Sequence, residues 1–216
     1  MKPIFSLLVA SLLAFPVLSR AESTPEVTDA PEATETHYTQ AIEGRTADIL
    51  KALALTDTNR AAKVHDIIMM QYRTLKAWHD TNDAKLKAAK TDPAATALIQ
   101  DSMHEVHEHF LAQLSSQLTP EQVETVKDKM TYGKVQFTLK GYLVYYPGIT
   151  ETNQQEILRL LKAAREEAMD GGSAAEKSAV FKRYKGLINN YLSQQGIHAT
   201  KKPVTPQAET NAAPVK

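Results

Sequence analysis

Apolar residues recur along most of this chain at steps of three and four, which is the spacing of one face of an α-helix. The longest such series lies in residues 58–90 and consists of the apolar residues Ile68, Tyr72, Leu75 and Leu86, with the polar His79 and Asn82 at the same spacing between them. A helix of that length would extend over roughly 50 Å. A second series, from Ile99 to Leu114, follows Pro93 after a short connection. Two long helices joined in this way pack antiparallel, so the pattern predicts a long helical hairpin.

Further segments with helical spacing fill most of the remaining chain, and the sequence places them at 37–53, 120–131, 135–146, 152–169 and 173–195. The segment 135–146 is ambiguous, because Val135, Phe137 and Leu139 alternate as they would in a strand. We interpret it as a helix, since its later apolar residues have helical spacing and no second strand is available for pairing. The predicted fold is therefore all-α, an irregular bundle of six or seven helices that contains the long antiparallel hairpin.

Three short elements predict where helices begin. Each consists of an apolar residue, a Thr, and an amide side chain three positions after the Thr, at 55–59, 118–122 and 149–153. A Thr hydroxyl at a helix start accepts a hydrogen bond from a free backbone N–H of the first turn, and the amide can return one. We therefore expect Thr56, Thr119 and Thr150 to cap three helices.

The N-terminal residues differ from the helical region. Residues 1–21 combine a positive charge, an apolar run and small residues before Ala21, which is typical of a signal peptide cleaved after that alanine. The apolar run is shorter than the roughly 20 residues that a membrane span needs. We therefore expect a periplasmic or secreted protein that has no membrane span after processing.

Two polar segments are expected to flank the helical domain. Residues 22–36 contain five acids and no base, and residues 199–216 contain three Pro and few large apolar residues. Such segments bury too little apolar surface to offset the entropy of ordering. They predict a flexible acidic linker and a disordered tail on either side of a helical domain at 37–198.

Composition narrows the range of functions. The 216 residues include 25 Lys and Arg, 25 Asp and Glu, and no Cys. Zero net charge without a basic run argues against nucleic acid as a partner. The absence of Cys excludes disulfides, thiolate metal sites and a cysteine nucleophile. Neither a phosphate-binding glycine loop nor a nucleophile elbow is present. We therefore assign no catalytic residue, and the sequence favours a protein that is not an enzyme.

Several long stretches resemble a known bacterial family. Residues 64–86, 118–133, 164–177 and 184–196 resemble the secreted family catalogued as domain of unknown function 3826, within a similarity that covers about 40–197. The resemblance implies a secreted, all-helical domain and no particular activity, because the family has no established one. The LTPEQ at 118–122 also resembles the LTxxQ motif of small periplasmic helical proteins, a group of stress chaperones and metal-linked sensors.

The densest group of ionisable residues lies at 101–109. In a helix, Asp101, His104 and Glu108 share one outward face, with His104 and Glu108 one turn apart. Imidazole and carboxylate ligands suit Zn²⁺ or another divalent transition metal. The same residues also suit a solvated face on which carboxylates pair with His. The pattern leaves two alternatives open, a divalent metal site and a protein without a cofactor.

Polar and aromatic residues concentrate on the last two predicted helices, which are joined by a pair of glycines. They are Arg165, Glu166, Asp170, Lys177, Tyr184, Lys185, Asn189, Asn190 and Tyr191. This group predicts either a binding site in which Arg165 and Asp170 clamp a polar ligand, or an interhelical network that fixes the packing. His79 is expected to be buried and hydrogen-bonded to Asp83 or to backbone.

The aromatic residues allow one more kind of site. A surface that stacks against sugars could consist of Trp78, Tyr142, Tyr145 and Tyr146, although aromatics at helical spacing also suit a core. The sequence favours an exported, non-enzymatic binding protein whose partner is a polypeptide or a cell-envelope component. The alternatives are an envelope metal-binding or metal-sensing protein, and an enzyme or accessory protein that acts on polysaccharide.

Overall fold

The computed structural model describes residues 31–200, and this part of the chain contains helices and no strand. Its α-helices, in chain order, are α1 (Pro31–Leu53), α2 (Thr58–Ala88), α3 (Pro93–Ser115), α4 (Pro120–Met130), α5 (Lys134–Tyr145), α6 (Glu151–Met169) and α7 (Ala174–Gln194). A short 3₁₀ turn, Ala89–Thr91, joins α2 to α3. The predicted all-α bundle is confirmed, and the ambiguous segment is the helix α5.

The predicted long hairpin consists of α2 and α3, which have 31 and 23 residues. Asp92 lies at the turn and accepts hydrogen bonds from the backbone N–H groups of the first turn of α3. Pro93 occupies the first helical position, where its missing N–H costs nothing. The indole N–H of Trp78 on α2 donates to Ser102 on α3 at 2.9 Å, so the two helices stay in contact beyond the turn.

Helix α1 begins earlier than the sequence predicts. The expected linker at 22–36 is wrong for its last part, because the helix starts at Pro31. A proline fits the first turn of a helix, since its fixed φ suits the helix and no partner is needed for an N–H there. Residues 1–30 and 201–216 lie outside the described residues, and with them the predicted signal peptide and most of the predicted tail.

The predicted caps at Thr119 and Thr150 are confirmed. Each hydroxyl accepts a hydrogen bond from the backbone N–H three residues later, at the start of α4 or α6. Gln122 and Asn153 return a bond to the N–H of the capping Thr, at 3.0 Å in both cases. Both helices therefore begin with a reciprocal capping box.

The predicted cap at Thr56 is wrong. The cap of α2 is Asp57, whose carboxylate accepts from the backbone N–H groups of Asn59 and Arg60 at 2.9 and 3.0 Å. A carboxylate also carries a charge that the positive end of the helix dipole stabilises, which a hydroxyl does not. The element at 55–59 therefore marks a helix start, but its cap lies one residue later than predicted.

Buried apolar side chains form two clusters. The first lies among α1 to α4, with Phe110 and Val126 among its fully buried members, and includes Met169 from the end of α6. The second lies among α5 to α7 and includes Leu161 and Phe181. Helices α4 and α6 pack on each other where the clusters meet, so this seam decides how the two parts of the bundle are joined. Within residues 31–200, no helix has an apolar stretch long enough to cross a bilayer.

Candidate functional site

The polar residues predicted on α6 lie along the seam between the two clusters. Arg165 is buried, and its guanidinium donates to Glu124 and Asp128 on α4 at 2.7 to 2.8 Å. Glu166 accepts from Arg165 at 3.1 Å and from Lys127 at 2.8 Å. For Arg165 and Glu166, the structure therefore favours the interhelical network over a ligand clamp.

Asp170 follows α6 and is bound by two histidines from other helices. His107 Nδ1 on α3 lies 2.8 Å from its carboxylate, and this bond raises the pKa of His107. His79 Nε2 on α2 donates to its carbonyl oxygen at 2.7 Å, and His79 Nδ1 lies 2.9 Å from Asp83. Burial opposes the charged form of His79, but these bonds outweigh it and raise its pKa. The predicted hydrogen bonds of His79 are confirmed.

Two of the predicted residues on α7 hold that helix against its neighbours. The hydroxyls of Tyr142 and Tyr146 on α5 donate to the side-chain oxygen of Asn189 at 2.8 and 3.1 Å. The hydroxyl of Tyr191 accepts from the side-chain amide of Asn153 on α6 at 3.0 Å. These contacts again fit the interhelical network.

The other predicted α7 residues are scattered. Tyr184 is half-buried, whereas Lys185 and Asn190 are exposed. The predicted group of nine therefore does not converge on one space. Of the nine, Lys177 alone lines a pocket to which α1 and α2 contribute, together with Tyr132 and residues 171–174.

Lys177 is a buried cation whose surroundings disfavour its charge. Its side chain is 4% exposed, and its Nζ donates to the carbonyl oxygens of Ala168 and Met169 at 3.0 and 2.9 Å. Burial lowers its pKa to about 8, because an apolar environment disfavours the ammonium form. The neighbouring carboxylates of Asp170 and Glu176 counteract burial only in part.

Lys177 lines a pocket of about 250 Å³ between α1, α2 and the connection from α6 to α7. We call it the cationic pocket, after its basic residues Arg45, Lys76 and Lys177. Its aromatic residues are Tyr38, Tyr72 and Tyr132. None of the described residues that line it is acidic, although Asp80 pairs with Lys76 from outside the lining, and the carboxylates of Asp170 and Glu176 lie near Lys177.

Two cations of the pocket lie over the rings of its tyrosines. The Arg45 guanidinium lies over the ring of Tyr72, with Cζ 5.9 Å from the ring centroid. Lys76 Nζ lies 5.8 Å from the ring centroid of Tyr38 and 2.5 Å from Asp80. The Tyr38 hydroxyl donates to the carbonyl oxygen of Tyr72 at 2.7 Å, which fixes α1 on α2 beside the pocket.

Tyr132 gives the pocket a strained wall. Its φ of 61° lies in the left-handed region, which is uncommon for a residue other than glycine and costs about 1–3 kcal/mol. Its side chain is 47% exposed and lines both the cationic pocket and an adjoining cleft of about 540 Å³. Such strain concentrates at functional sites, so the conformation of Tyr132 also favours a functional role for this pocket.

The first turn of α7 forms another wall of the pocket. Ser173 caps the helix by accepting from the backbone N–H of Glu176, and Ser173 and Ala174 line the pocket. The positive end of the helix dipole adds to the charge of the nearby cations. A Cβ on Gly172 would lie only 2.8 Å from the ring of His79, so a glycine lets this connection pack closely.

Sequence reasoning found one residue of the pocket and missed the others. Arg45, Lys76 and the three tyrosines read as ordinary helix residues, because nothing in their spacing relates α1 to α2 or to the end of α4. A local signal was available at Tyr132, which precedes Gly133 where the helical pattern stops. His107 was also missed, since it lies among the exposed ionisable residues of 101–109.

The predicted metal ligands lie elsewhere. Asp101, His104 and Glu108 are exposed on α3, as expected for an outward face. Among residues 31–200, no group of three or more His, Asp or Glu side chains is arranged to hold a metal ion. The divalent metal site therefore stays a prediction.

The predicted sugar-stacking surface is only partly assembled. Tyr142, Tyr145 and Tyr146 line one open pocket of about 710 Å³ beside α5 and α7. Trp78 does not line it and instead bonds Ser102 on α3, so including Trp78 in this surface was wrong.

Comparison with known proteins gives a family match and assigns no activity. The family model described as "Protein of unknown function (DUF3826)" matches residues 39–207. That range contains α2 to α7 and every residue of the cationic pocket except Tyr38. No curated protein matches the chain. The resemblance to the LTxxQ motif stays a prediction.

Proposed function

The chain belongs to the family described as Protein of unknown function (DUF3826), and from that premise we propose that it is an exported, non-enzymatic binding protein of the cell envelope. Its ligand is a small molecule that carries a carboxylate or phosphate group, and this group binds in the cationic pocket. The family description assigns no activity, so the proposal rests on the pocket.

The observation that carries the proposal is the buried ammonium group of Lys177 beside Arg45 and Lys76, in a pocket without acidic walls. A desolvated cation is costly unless an opposite charge accompanies it. A bound anion would supply that charge, and Arg45 would offer a planar fork that suits carboxylate and phosphate oxygens. The volume of about 250 Å³ suits a small ligand or the charged end of a larger one.

The arrangement favours binding over catalysis. The hydrogen-bond partners of Lys177 are the carbonyl oxygens of Ala168 and Met169, which cannot exchange a proton with it. Burial raises the pKa of Tyr72 to about 12, which keeps its phenol protonated as a hydrogen-bond donor at neutral pH. These groups therefore hold charge and orient a ligand.

Isothermal titration calorimetry with inorganic phosphate, sulfate and glucuronate, and with glucose as a neutral control, tests the proposal. We expect at least one anion to bind, glucose not to bind, and Lys177→Met and Arg45→Gln each to weaken binding about tenfold. Affinity should also fall as pH rises through about 8, because Lys177 then loses its charge. Lys63→Met removes an exposed cation from α2 and should change nothing. Equal binding by all variants, or no binding of any anion, would contradict the proposal.

The envelope location rests on residues 1–21, which have the composition of a cleaved signal peptide. N-terminal sequencing of material recovered outside the cytoplasm is the direct measurement. We expect the mature chain to begin at Glu22, and a retained Met1 would contradict export by cleavage.

A further inference from the structure

A second surface of the molecule combines exposed aromatic residues with positive charge. The open pocket of about 710 Å³ lies beside α5 and α7 and is lined by residues of both helices. We call it the aromatic groove, and its principal residues are Phe137, Gly141 and Tyr145 on α5 with Lys185 and Asn189 on α7. Phe137 is 78% exposed and Tyr145 is 43% exposed, which is costly for large apolar rings without a partner.

Gly141 leaves α5 without a side chain in the middle of the groove. It lies in the middle of the helix, where glycine destabilises relative to alanine. A Cβ at this position would meet nothing within 4 Å, so no neighbour inside the fold requires a glycine. Phe137 and Tyr145 lie one turn before and one turn after it, which leaves a notch between two aromatic side chains.

Charge at the groove has one sign. Lys140 and Lys185 line it, and none of its described lining residues is acidic. The backbone N–H of Thr200 donates to the carbonyl oxygen of Tyr145 at 2.8 Å, so the chain passes the end of the groove. An acidic occupant is therefore electrostatically favoured.

Asn189 adds a polar group suited to a peptide backbone. Its side-chain oxygen accepts from the hydroxyls of Tyr142 and Tyr146. Those two bonds fix the orientation of the amide and leave its nitrogen as a donor at the edge of the groove. An amide donor can hydrogen-bond a peptide carbonyl oxygen, and aromatic-lined grooves recur as binding sites for extended, proline-rich peptides.

We propose that the aromatic groove docks an acidic polypeptide segment that carries proline or other apolar residues. Its apolar side chains pack on Phe137 and Tyr145 and its backbone lies against Gly141. Its carboxylates face Lys140 and Lys185. A second copy of the same face would bring these lysines against the same lysines across a two-fold axis, so a symmetric dimer is disfavoured. This interaction is independent of the cationic pocket.

The test uses fluorescence anisotropy with the mature chain and a labelled synthetic peptide in which Asp and Glu alternate with Pro, Phe and Val. We expect this peptide to bind and its Asn/Gln counterpart to bind at least about tenfold more weakly. Phe137→Ala should weaken binding to a similar degree, whereas Leu98→Ala, which truncates an exposed apolar residue on α3, should not.

A side chain at position 141 would fill the notch between Phe137 and Tyr145, so a variant there tests the proposal directly. Gly141→Leu should abolish binding without loss of helix content, because leucine favours a helix and its Cβ meets no neighbour. Gly44→Leu on α1 is the matched control, since Gly44 is also a helical glycine with nothing near its Cβ. Unchanged binding in Gly141→Leu would overturn the proposal.

Other occupants would give distinct results, each of which overturns the proposal. Phe137-dependent binding to anionic lipid vesicles, without peptide binding, would identify a lipid surface. Phe137-dependent dimers in sedimentation would identify a second copy. Stronger peptide binding after deletion of 201–216 would mean that this segment itself occupies the groove, whereas the proposal expects binding that is no stronger.

Discussion

Lys177 is a residue whose charge the fold disfavours, and its titration provides a prediction. Its pKa is about 8 in the fold against an ordinary value of 10.5, and burial is the main cause. Because the lowered pKa means that the folded state binds fewer protons between these values, the free energy of unfolding contributed by Lys177 rises with pH through that window. The rise is on the order of 3 kcal/mol.

The variant Lys177→Met isolates this contribution, since methionine has a similar length and no proton to lose. We expect the stability of the wild type relative to the variant to increase between about pH 7 and about pH 10. Urea unfolding of both proteins at these two values is the measurement, and other titrating groups cancel in the difference. A constant difference would mean that Lys177 is not desolvated as described.

The helix caps give a second prediction at the scale of single residues. Thr119→Ala and Thr150→Ala each remove an acceptor from a capping box and should lower the free energy of unfolding by about 1 kcal/mol. Asp57→Ala should cost a similar amount at the start of α2. Thr56→Ala is the control, because Thr56 caps nothing, and a loss there equal to that of Asp57→Ala would contradict the assignment.

At the scale of elements, the connection from α6 to α7 depends on a glycine for a steric reason. A Cβ on Gly172 would lie 2.8 and 2.9 Å from ring carbons of His79, and the bonds to Asp83 and to the Asp170 carbonyl hold that ring in place. We expect Gly172→Ala to lower stability by about 1–3 kcal/mol. We also expect it to weaken anion binding, because Gly172 lines the cationic pocket.

A matched variant and a double mutant check this explanation by thermal unfolding. Gly186→Ala lies inside α7 with open space at its Cβ and should stabilise the protein slightly, since alanine favours a helix. The combination Gly172→Ala with His79→Ala should be less destabilising than the sum of the two single changes, because the clash is then relieved. Additive effects would show that the close approach is not the cause.

Most of the helices could be predicted from the sequence because their signals are local. Apolar spacing, a capping Thr or a following Gly lies within a few residues of the feature it indicates, and α4 to α7 begin and end close to the predicted positions. The start of α1 was missed because acidic, proline-containing residues resemble a linker by composition. Asp57 was missed because the repeated pattern of an apolar residue, a Thr and an amide predicted Thr56 as the cap.

The cationic pocket could not be predicted in the same way. Arg45, Tyr72 and Tyr132 come from α1, α2 and the end of α4, and only the packing of these helices brings them together. Lys177 was predicted as a site residue because it belongs to the group of polar and aromatic residues on the last two helices. Its burial, which makes it informative, follows from the position of the α6–α7 connection rather than from its neighbours in sequence.

At the scale of the whole molecule, two apolar clusters meet across a seam of ion pairs. Arg165 with Glu124 and Asp128 joins α6 to α4, and His107 with Asp170 joins α3 to the end of α6. An apolar seam would tolerate small shifts of one part against the other, whereas charged partners at fixed distances do not. Because Asp170 and Gly172 lie on the connection that lines the cationic pocket, the seam also fixes the geometry of that site.

The pH dependence of stability should show how much the histidine at this seam contributes. His107 is buried, and its bond with Asp170 raises its pKa above the ordinary 6.5, with support from Glu166 and opposition from burial and from Lys127. A raised histidine pKa stabilises the fold fully below about 6.5, and the contribution is lost as pH rises through the value in the fold.

The variant His107→Gln, which can still donate to Asp170, should therefore lose less stability than the wild type between about pH 5.5 and about pH 8.5. Urea unfolding at both values measures the difference, and His109→Gln, an exposed position on the same helix, should behave like the wild type. Parallel curves for His107→Gln and the wild type would show that the bond between His107 and Asp170 does not depend on the charge of the histidine.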